Sequence, residues 1–286
     1  MPGINTTGNP NTDDYNLGRG IVYFAALGTN GLPSTDGYED LGNAPQFTVS
    51  MEVEDLDHFS SRTGLKVLDK KFIISQSVNI TFQLDELRYQ NIARFLSGDT
   101  SLYNNGHDTV FSDVVITTGL VQGRWYDLWN SPTLATRRRV YDLNAAGFAF
   151  TFEESTPTPM VESVDYILDR IMGRIQVVVG SIVATNGDTI QWTSTVAATT
   201  PADLDQVDGL TDTLIEGALK FISDNPGSDG NRDEYQFHKV QIRADGDLSL
   251  IGDEVTVMGF AGAALVNNAV TDTSKVVTVR TYTPQP

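Results

Sequence analysis

Two stretches of alternating apolar and polar residues, 47–54 and 74–84, constrain the fold of this chain more than any other feature. Successive side chains of a β-strand point to opposite faces, so each stretch predicts a strand with one apolar and one polar face. We expect the apolar faces to pack inside their own domain and the polar faces to form a continuous ribbon. The residues between them, 56–71, are predicted to form a long loop of mixed charge with apolar side chains.

A helix is predicted directly after the second strand. Asp85 is a suitable N-cap, Glu86 complements the positive end of the helix dipole, and Gly98 is placed as a C-terminal stop. The order of elements is therefore strand, long hairpin loop, strand and helix.

The rest of the chain repeats the β pattern, with strands predicted over 21–27, 110–120, 140–154, 175–183, 188–196, 235–244, 255–260 and 276–282. Asn186-Gly187 is the strongest hairpin signal. We predict a mainly β protein: two packed antiparallel sheets, resembling a sandwich or barrel, with one flanking α-helix and long loops. An extended N-terminal arm, 1–20, precedes a single domain, 21–286, whose halves share one core and whose inserted loops lie near 56–71, 99–139 and 197–233.

Composition excludes several classes of protein. The chain has 286 residues, no cysteine and a formal net charge of −18, so it has neither disulfides nor thiolate metal sites. Such a polyanion gains nothing from counterion release on DNA, which argues against tight nucleic-acid binding. The longest apolar run, around 260–266, is too short to span a bilayer, so no membrane segment is expected. The start of the chain shows no secretory signal, and a product of the cytoplasm is predicted.

Catalytic and metal-binding motifs are not found. The three histidines, His58, His107 and His238, are far apart in sequence, and no nucleophile or phosphate-binding motif is present. We therefore predict no enzymatic activity, no cofactor and no metal site, and interpret His58 as an interface residue. An unrecognised hydrolase stays as one alternative, because carboxylates are abundant.

A carbohydrate-binding or adhesive β module is the main alternative, since Trp125, Tyr126 and Trp129 could stack on sugars. Aromatic residues at this spacing more often belong to a core edge or an interface. The run Arg137, Arg138 and Arg139 could bind phosphate, but in so acidic a protein it is better interpreted as a set of salt-bridge donors between subunits.

Two blocks carry a resemblance to a known family. The first is YEDLGNAPQFTVSMEVEDLDHFSSRTGLKVLDKK (38–71), followed by ITFQLDELRYQNIARFLSG (80–98); the second is Asp165-Tyr166-Ile167-Leu168-Asp169 with Gly173-Arg174-Ile175, a strand-turn-strand pattern. Together they resemble the tail tube (major tail) proteins of long-tailed bacteriophages.

The resemblance implies a structural virion protein. Such proteins form hexameric rings that stack into a hollow tube, around a tape-measure protein during assembly and around DNA during ejection. The expected partners are further copies of the chain, the tape-measure protein, and the tail terminator and tail tip proteins, with DNA only in transit. The protein would be made in the host cytoplasm and end in the virion.

In these tubes the corresponding hairpin contacts neighbouring subunits and rings. The residues to which this role is assigned are Asp57, His58, Phe59, Arg62, Leu65, Lys66, Leu68, Asp69 and Lys70. In a closed ring, the polar ribbon of the two long strands can turn toward the water-filled bore. The residues predicted to line it are Glu52, Glu54, Asn79, Thr81 and Gln83.

Overall fold

A computed structural model describes residues 18–62, 64–103, 110–117, 121–143, 147–153, 158–181, 189–194, 204–224 and 232–282. The strands, in chain order, are β1 (Gly20–Ala26), β2 (Glu39–Asp40), β3 (Gln46–Ser60), β4 (Val67–Leu84), β5 (Asp99–Tyr103), β6 (Phe111–Thr117), β7 (Trp125–Asp127), β8 (Phe148–Glu153), β9 (Thr158–Pro159), β10 (Tyr166–Asp169), β11 (Arg174–Val177), β12 (Thr189–Ser194), β13 (Leu204–Asp208), β14 (Ile215–Ser223), β15 (Arg232–Ala244), β16 (Met258–Ala264) and β17 (Val277–Tyr282). The helix α1 (Tyr89–Phe95) lies between β4 and β5. Most of the predicted arm (1–17) and the Asn186-Gly187 turn lie outside the described residues.

The mainly β prediction is confirmed, since strands make up 55% of the described residues and helix 3%. The contacts divide the chain into two compact units, Met1–Thr100 with Val207–Pro286 (unit 1) and Ser101–Gln206 (unit 2). Each unit has its own cluster of buried apolar residues. The single shared core expected from sequence is therefore replaced by two cores, because the segment predicted as inserted loops contains enough strands to bury apolar residues of its own.

Unit 1 is built on an eight-stranded antiparallel sheet in the order β2-β1-β14-β15-β16-β4-β3, with β17 also paired to β15. The alternation in β4 predicts its buried face correctly: Ile80, Phe82 and Leu84 are buried in the core. The rings of Phe82 and Phe260 stack with centroids 5.0 Å apart, and Phe95 of α1 contacts Phe260 edge-on at 5.9 Å. The helix thereby covers one face of the sheet, as predicted.

The helix begins later than predicted, and Asp85 is not its N-cap. The carboxylate of Asp85 accepts a hydrogen bond from Asn43 Nδ2 at 2.6 Å, and the helix begins at Tyr89 without a side-chain cap. The helix ends near Gly98, the predicted stop. Ser97 has φ +51°, and Gly98 N–H donates to Ala93 O at 2.8 Å, which is the pattern of a Schellman motif.

Unit 2 contains a four-stranded sheet, β6-β12-β8-β9, and a three-stranded sheet, β10-β11-β7. The alternating Phe150 and Phe152 are buried as predicted, and the ring of Phe150 stacks on Trp192 at 5.9 Å. Trp192 Nε1 donates to Trp129 O at 2.9 Å, which satisfies the one polar atom of a fully buried indole.

The strand-turn-strand pattern of the second resemblance block is present as the hairpin β10–β11, in which Asp169 pairs with Arg174. The Asp169 carboxylate accepts hydrogen bonds from Met172 N–H at 3.1 Å and from Arg174 Nε at 2.9 Å. The Met172 bond is the main reason that the pKa of Asp169 is lowered. Gly173 has φ +58°, and a Cβ there would collide with the carbonyl oxygen of Val140.

Three predicted loops are corrected. Residues 56–71 contain the ends of β3 and β4, and 197–233 contain β13 and β14. Residues 99–139 contain β5 and β7 besides β6, which matches the strand predicted over 110–120. The strand β14 was not predicted because its alternation is imperfect: three consecutive residues, Gly217, Ala218 and Leu219, are all buried within it. Glu216 and Lys220 lie on the face opposite Leu219, and both form ion pairs, but Ala218 and Ile222 interrupt this polar face, and Gly217 interrupts the apolar one.

Candidate functional site

The longest hairpin of unit 1, β3–β4, leaves the sheet for much of its length. β4 pairs with β16 only from Val78 to Leu84. Toward the turn, residues 51–60 of β3 pair only with residues 67–78 of β4 among the described residues. We call this two-stranded ribbon, residues 51–77, the hairpin arm. Two register shifts, between Glu54 and Asp55 and between His58 and Phe59, interrupt its pairing.

Apolar side chains of the hairpin arm are exposed. The exposed fraction is 69% for Met51, 60% for Ile73 and 57% for Ile74, and Val53 and Phe72 are also exposed. The expectation that the apolar faces of both strands pack inside the subunit is therefore wrong beyond Val78. The reason is that the core beneath the sheet ends there, and in the described chain nothing covers the arm.

The five residues predicted to line a bore do lie on one face of the sheet. In the register of β3 and β4, Glu52 is opposite Ser77, Glu54 opposite Ser75, Asn79 opposite Ser50, Thr81 opposite Thr48 and Gln83 opposite Gln46. Opposed residues of neighbouring strands share a face, so the set forms one surface, which we call the polar face. Glu52 accepts a hydrogen bond from Asn79 Nδ2 at 3.4 Å, and Glu54 accepts one from Ser75 Oγ at 3.0 Å.

The polar face continues onto the neighbouring strands. Ala261 and Ala263 of β16 lie opposite Thr81 and Asn79, and next to them β15 presents Gln241 and Arg243. These residues line a shallow polar depression. Arg243 was missed in the sequence analysis. The signal was its alternation with the buried Val240 and Ile242 in β15.

The end of the hairpin arm is a charged strand pair rather than a loop. His58 Nδ1 lies 2.5 Å from Asp69 Oδ1, and Lys71 Nζ lies 3.5 Å from a carboxylate oxygen of both Asp55 and Asp57. Asp57, and then Asp55, raise the pKa of Lys71.

Apolar and basic residues complete this end. Phe59 and Leu68 are paired across the strands, Lys70 Nζ lies 4.6 Å from the ring centroid of Phe72, and Leu65 is 76% exposed. Arg62 and Lys66 are exposed in the turn. The structure thus brings the nine predicted contact residues to one end of one ribbon.

The three consecutive arginines of unit 2 do not form one basic patch. The Arg137 guanidinium lies 4.2 Å from the ring centroid of Trp129, and Arg139 pairs with Asp127 at 2.6 Å and donates to Met172 O at 3.1 Å. Arg138 N–H donates to Asn130 Oδ1 at 2.8 Å. Arg139 is therefore occupied inside its unit, and an interface role for Arg137 and Arg138 stays a prediction.

The aromatic residues behind the carbohydrate alternative do not form a flat platform. Trp125 and Tyr126 are adjacent in β7, so their side chains point to opposite faces. Tyr126 packs against the core, and its hydroxyl accepts from Val121 N–H at 2.7 Å. The Arg174 guanidinium lies over the Trp125 ring, 4.8 Å from its centroid, as the Arg137 guanidinium lies over Trp129.

Two segments of the first resemblance block, the turn at 41–43 and residues 85–86, contact each other. Besides the bond between Asn43 and Asp85, Asn43 N–H donates to Glu86 Oε1 at 3.2 Å. Gly42 has φ +91°, and a Cβ there would lie 2.6 Å from Glu86 Oε2. Leu41, just before it, is buried in the core of unit 1. The two segments thus fix the base of the hairpin to the sheet.

A family model described as "Protein of unknown function UCP028589" matches residues 15–278. The chain belongs to this family. The match includes the hairpin arm, the polar face and nearly all of both units, and it ends within β17. The comparison with curated proteins found no match.

Other groups with distinctive chemistry are few in the described part of the chain. Among the described residues, no group of three histidine or carboxylate side chains is placed to hold a metal ion, and no helix combines the length and apolarity needed to cross a bilayer. His238 is buried, with Nε2 2.9 Å from Thr278 Oγ1 and 3.5 Å from Asp272 Oδ2, while its Nδ1 has no partner among the described atoms. Burial lowers the pKa of His238 despite the opposing effect of Asp272.

Proposed function

We propose that the protein is a structural virion protein that assembles as stacked hexameric rings into the hollow tail tube of a long-tailed bacteriophage, through which DNA is ejected. The observation that carries the proposal is the hairpin arm, a two-stranded ribbon whose apolar side chains have no cover in the subunit. The resemblance of its two sequence blocks to tail tube proteins supports the same conclusion.

The physical argument begins with the marginal stability of an isolated ribbon. Two strands alone bury little apolar surface and are at best marginally stable in water. Exposed Met51, Ile73 and Ile74 would each gain about 25 cal/mol for every Å² removed from water. An arm of this kind is therefore best explained as half of an interface. Further copies of the chain are the partners that a tube requires.

The polar face supports a role as the wall of the bore. It carries Glu52 and Glu54 in a protein of net charge −18, and cyclic symmetry would repeat both carboxylates around the lumen. Screening over about 8–10 Å in physiological salt limits their mutual repulsion, while DNA phosphates meet like charge. Arg243 is a basic residue on the same surface, so its effect on DNA passage is part of the proposal.

On this proposal the protein acts without catalysis or a cofactor. It is made in the host cytoplasm and incorporated into the virion, where it surrounds the tape-measure protein and joins the tail terminator and tail tip proteins. The contacts that order these partners would form on assembly.

Electron microscopy and analytical sedimentation of the purified protein test the proposal. Rings or tubes with a central channel are expected, in amounts that rise with protein concentration. A protein that stays strictly monomeric at high concentration, across a range of salt, would overturn it. Soluble oligomers without a channel would overturn the tube while leaving self-association in place.

A further inference from the structure

A second exposed surface of unit 1 has the opposite chemistry to the end of the hairpin arm. Residues 245–257, which connect β15 to β16, form what we call the acidic loop. Three apolar residues of the loop are largely exposed: Leu250 (77%), Ile251 (95%) and Val255 (74%). Its acidic residues are Asp245, Asp247, Asp253 and Glu254, and it contains no basic residue.

The carboxylates of the acidic loop are not neutralised within the subunit. All four residues are exposed, and none of their side chains has a hydrogen-bond or ion-pair partner among the described residues. A surface that combines unpaired charge of one sign with nearly fully exposed aliphatic side chains is typical of an interface, with apolar anchors and a charged rim.

The end of the hairpin arm offers the matching surface. Residues 55–72 contain four basic and three acidic residues, a net positive charge in a chain of net charge −18. The three acidic residues already pair with Lys71 and His58. Arg62 and Lys66 have no acidic partner among the described residues. Phe59, Leu65 and Leu68 supply the apolar side chains, at 48%, 76% and 44% exposure.

The acidic loop and the end of the hairpin arm lie next to opposite ends of strand β4. The acidic loop leads directly into Met258, which is paired with Leu84 at the base of β4, while the arm ends at Val67, the first residue of β4. Val67 and Leu84 are 17 residues apart, or roughly 55 Å at 3.3 Å per residue. The arm of one subunit therefore cannot reach its own acidic loop.

We propose that the acidic loop of one copy is the docking surface for the hairpin-arm end of another copy, in a head-to-tail contact. The inference rests on the proposed function for its biological setting, and it names the acceptor that the hairpin arm uses. The contact joins two different surfaces of identical chains, so it is heterologous and can repeat without limit along one direction. Opposite charges fix the pairing, and the aliphatic side chains supply buried area.

Disulfide trapping tests the contact directly, because the natural chain has no cysteine. Leu65→Cys and Ile251→Cys are prepared as separate proteins, mixed and oxidised under mild conditions. A mixed dimer is expected, and the chain carrying both substitutions should give a ladder of oligomers. As a matched control, Leu65→Cys is mixed with Leu134→Cys, whose position is also 76% exposed. Equal cross-linking of both mixtures, or none of either, would overturn the proposal.

Charge exchange provides an independent test in the assembly assay. Asp253→Lys with Glu254→Lys should raise the concentration needed for assembly at least about tenfold, because the substituted loop repels the basic arm. Arg62→Glu with Lys66→Glu should have the same effect. The chain with all four changes should assemble within about threefold of the natural protein. Failure of that rescue, or unchanged assembly of both double variants, would contradict the inference.

The control for charge alone is Glu162→Lys with Asp205→Lys, two exposed positions of unit 2, which should leave assembly unchanged.

Different results would overturn the proposed tube and the proposed docking surface. Tubes that form without specific cross-linking or charge rescue overturn the docking surface only. Specific cross-linking in a protein that never forms a channel overturns the tube and supports the head-to-tail contact.

Discussion

Replacing Phe59, Leu65 and Leu68 with serine should prevent stacking while leaving the subunit folded. Full burial of such a side chain is worth about 1.5–3 kcal/mol. The three are 48%, 76% and 44% exposed in the subunit. If a partner covers only this remaining surface, the loss at each contact is about 2.5–5 kcal/mol, or about two to four orders of magnitude in the association constant.

The same change should cost the subunit little. Surface substitutions usually shift the free energy of unfolding by about 0.5 kcal/mol or less, and the cross-strand pair of Phe59 and Leu68 adds about 0.2–1 kcal/mol. The assay compares two quantities for each variant: the denaturation midpoint of the unassembled protein, and the protein remaining in the supernatant after tubes are pelleted. We expect an almost unchanged midpoint and a large rise in soluble protein.

A matched control replaces Leu134, Ile171 and Val179 with serine, since these residues of unit 2 are 76%, 75% and 73% exposed. It removes a similar apolar surface away from the hairpin arm and should pellet like the natural protein. Unfolding of the arm variant would mean that its three residues belong to a core. Normal pelleting of the arm variant would mean that the arm has no role in assembly.

Three further changes test other parts of the molecule. Glu52→Lys with Glu54→Lys should still allow tubes to form but should make them co-sediment with DNA, most strongly at low salt. Variant tubes that do not bind DNA would refute the assignment of these residues to the lumen. Gly173→Ala should lower the free energy of unfolding by about 2–4 kcal/mol. Gly180→Ala is the control for backbone strain alone, because Gly180 has φ +86° but a Cβ there would meet no atom within 4 Å. Equal losses of stability in the two variants would rule out the collision at Gly173. His238 has a lowered pKa, so the folded state keeps it neutral while the unfolded chain gains a proton near pH 6.5. The free energy of unfolding should therefore fall as pH drops below about 6.5 and level off below the pKa of the folded state. Urea titrations should show a weaker pH dependence for His238→Gln. Identical pH profiles for the variant and the natural protein would contradict this assignment to His238.

Alternation within strands predicted a large part of the fold. It placed Ile80 and Phe82, and likewise Phe150 and Trp192, in the cores where the structure has them. It also placed Glu52 with Glu54 on one face of β3, and Asn79 with Thr81 on one face of β4, because residues two apart on a strand share a face whatever surrounds them. These predictions needed only local geometry.

The errors arose where a distant contact decides the outcome. Asp85 has the chemistry of an N-cap, but the turn at Asn43 takes its carboxylate. Gly217 breaks any alternation, yet it lies in the interior of the sheet. In the hairpin arm, the pattern around Met51 shows that two faces differ, but it carries no information about what covers each face.

The exposed arm and the acidic loop together suggest why a tube would need both kinds of contact. Edge pairing and lateral packing can close a ring, but a closed ring does not determine how the next one is placed. The arm end and the acidic loop of one subunit are roughly 55 Å apart along β4, so a contact between them links copies along the strand direction. Such a contact leaves an unused arm at one end of every assembly and an unused loop at the other. Growth would then continue until a different protein occupies the free surface. On the proposed function, this is the property expected of a tube whose two ends are finished by separate terminator and tip proteins.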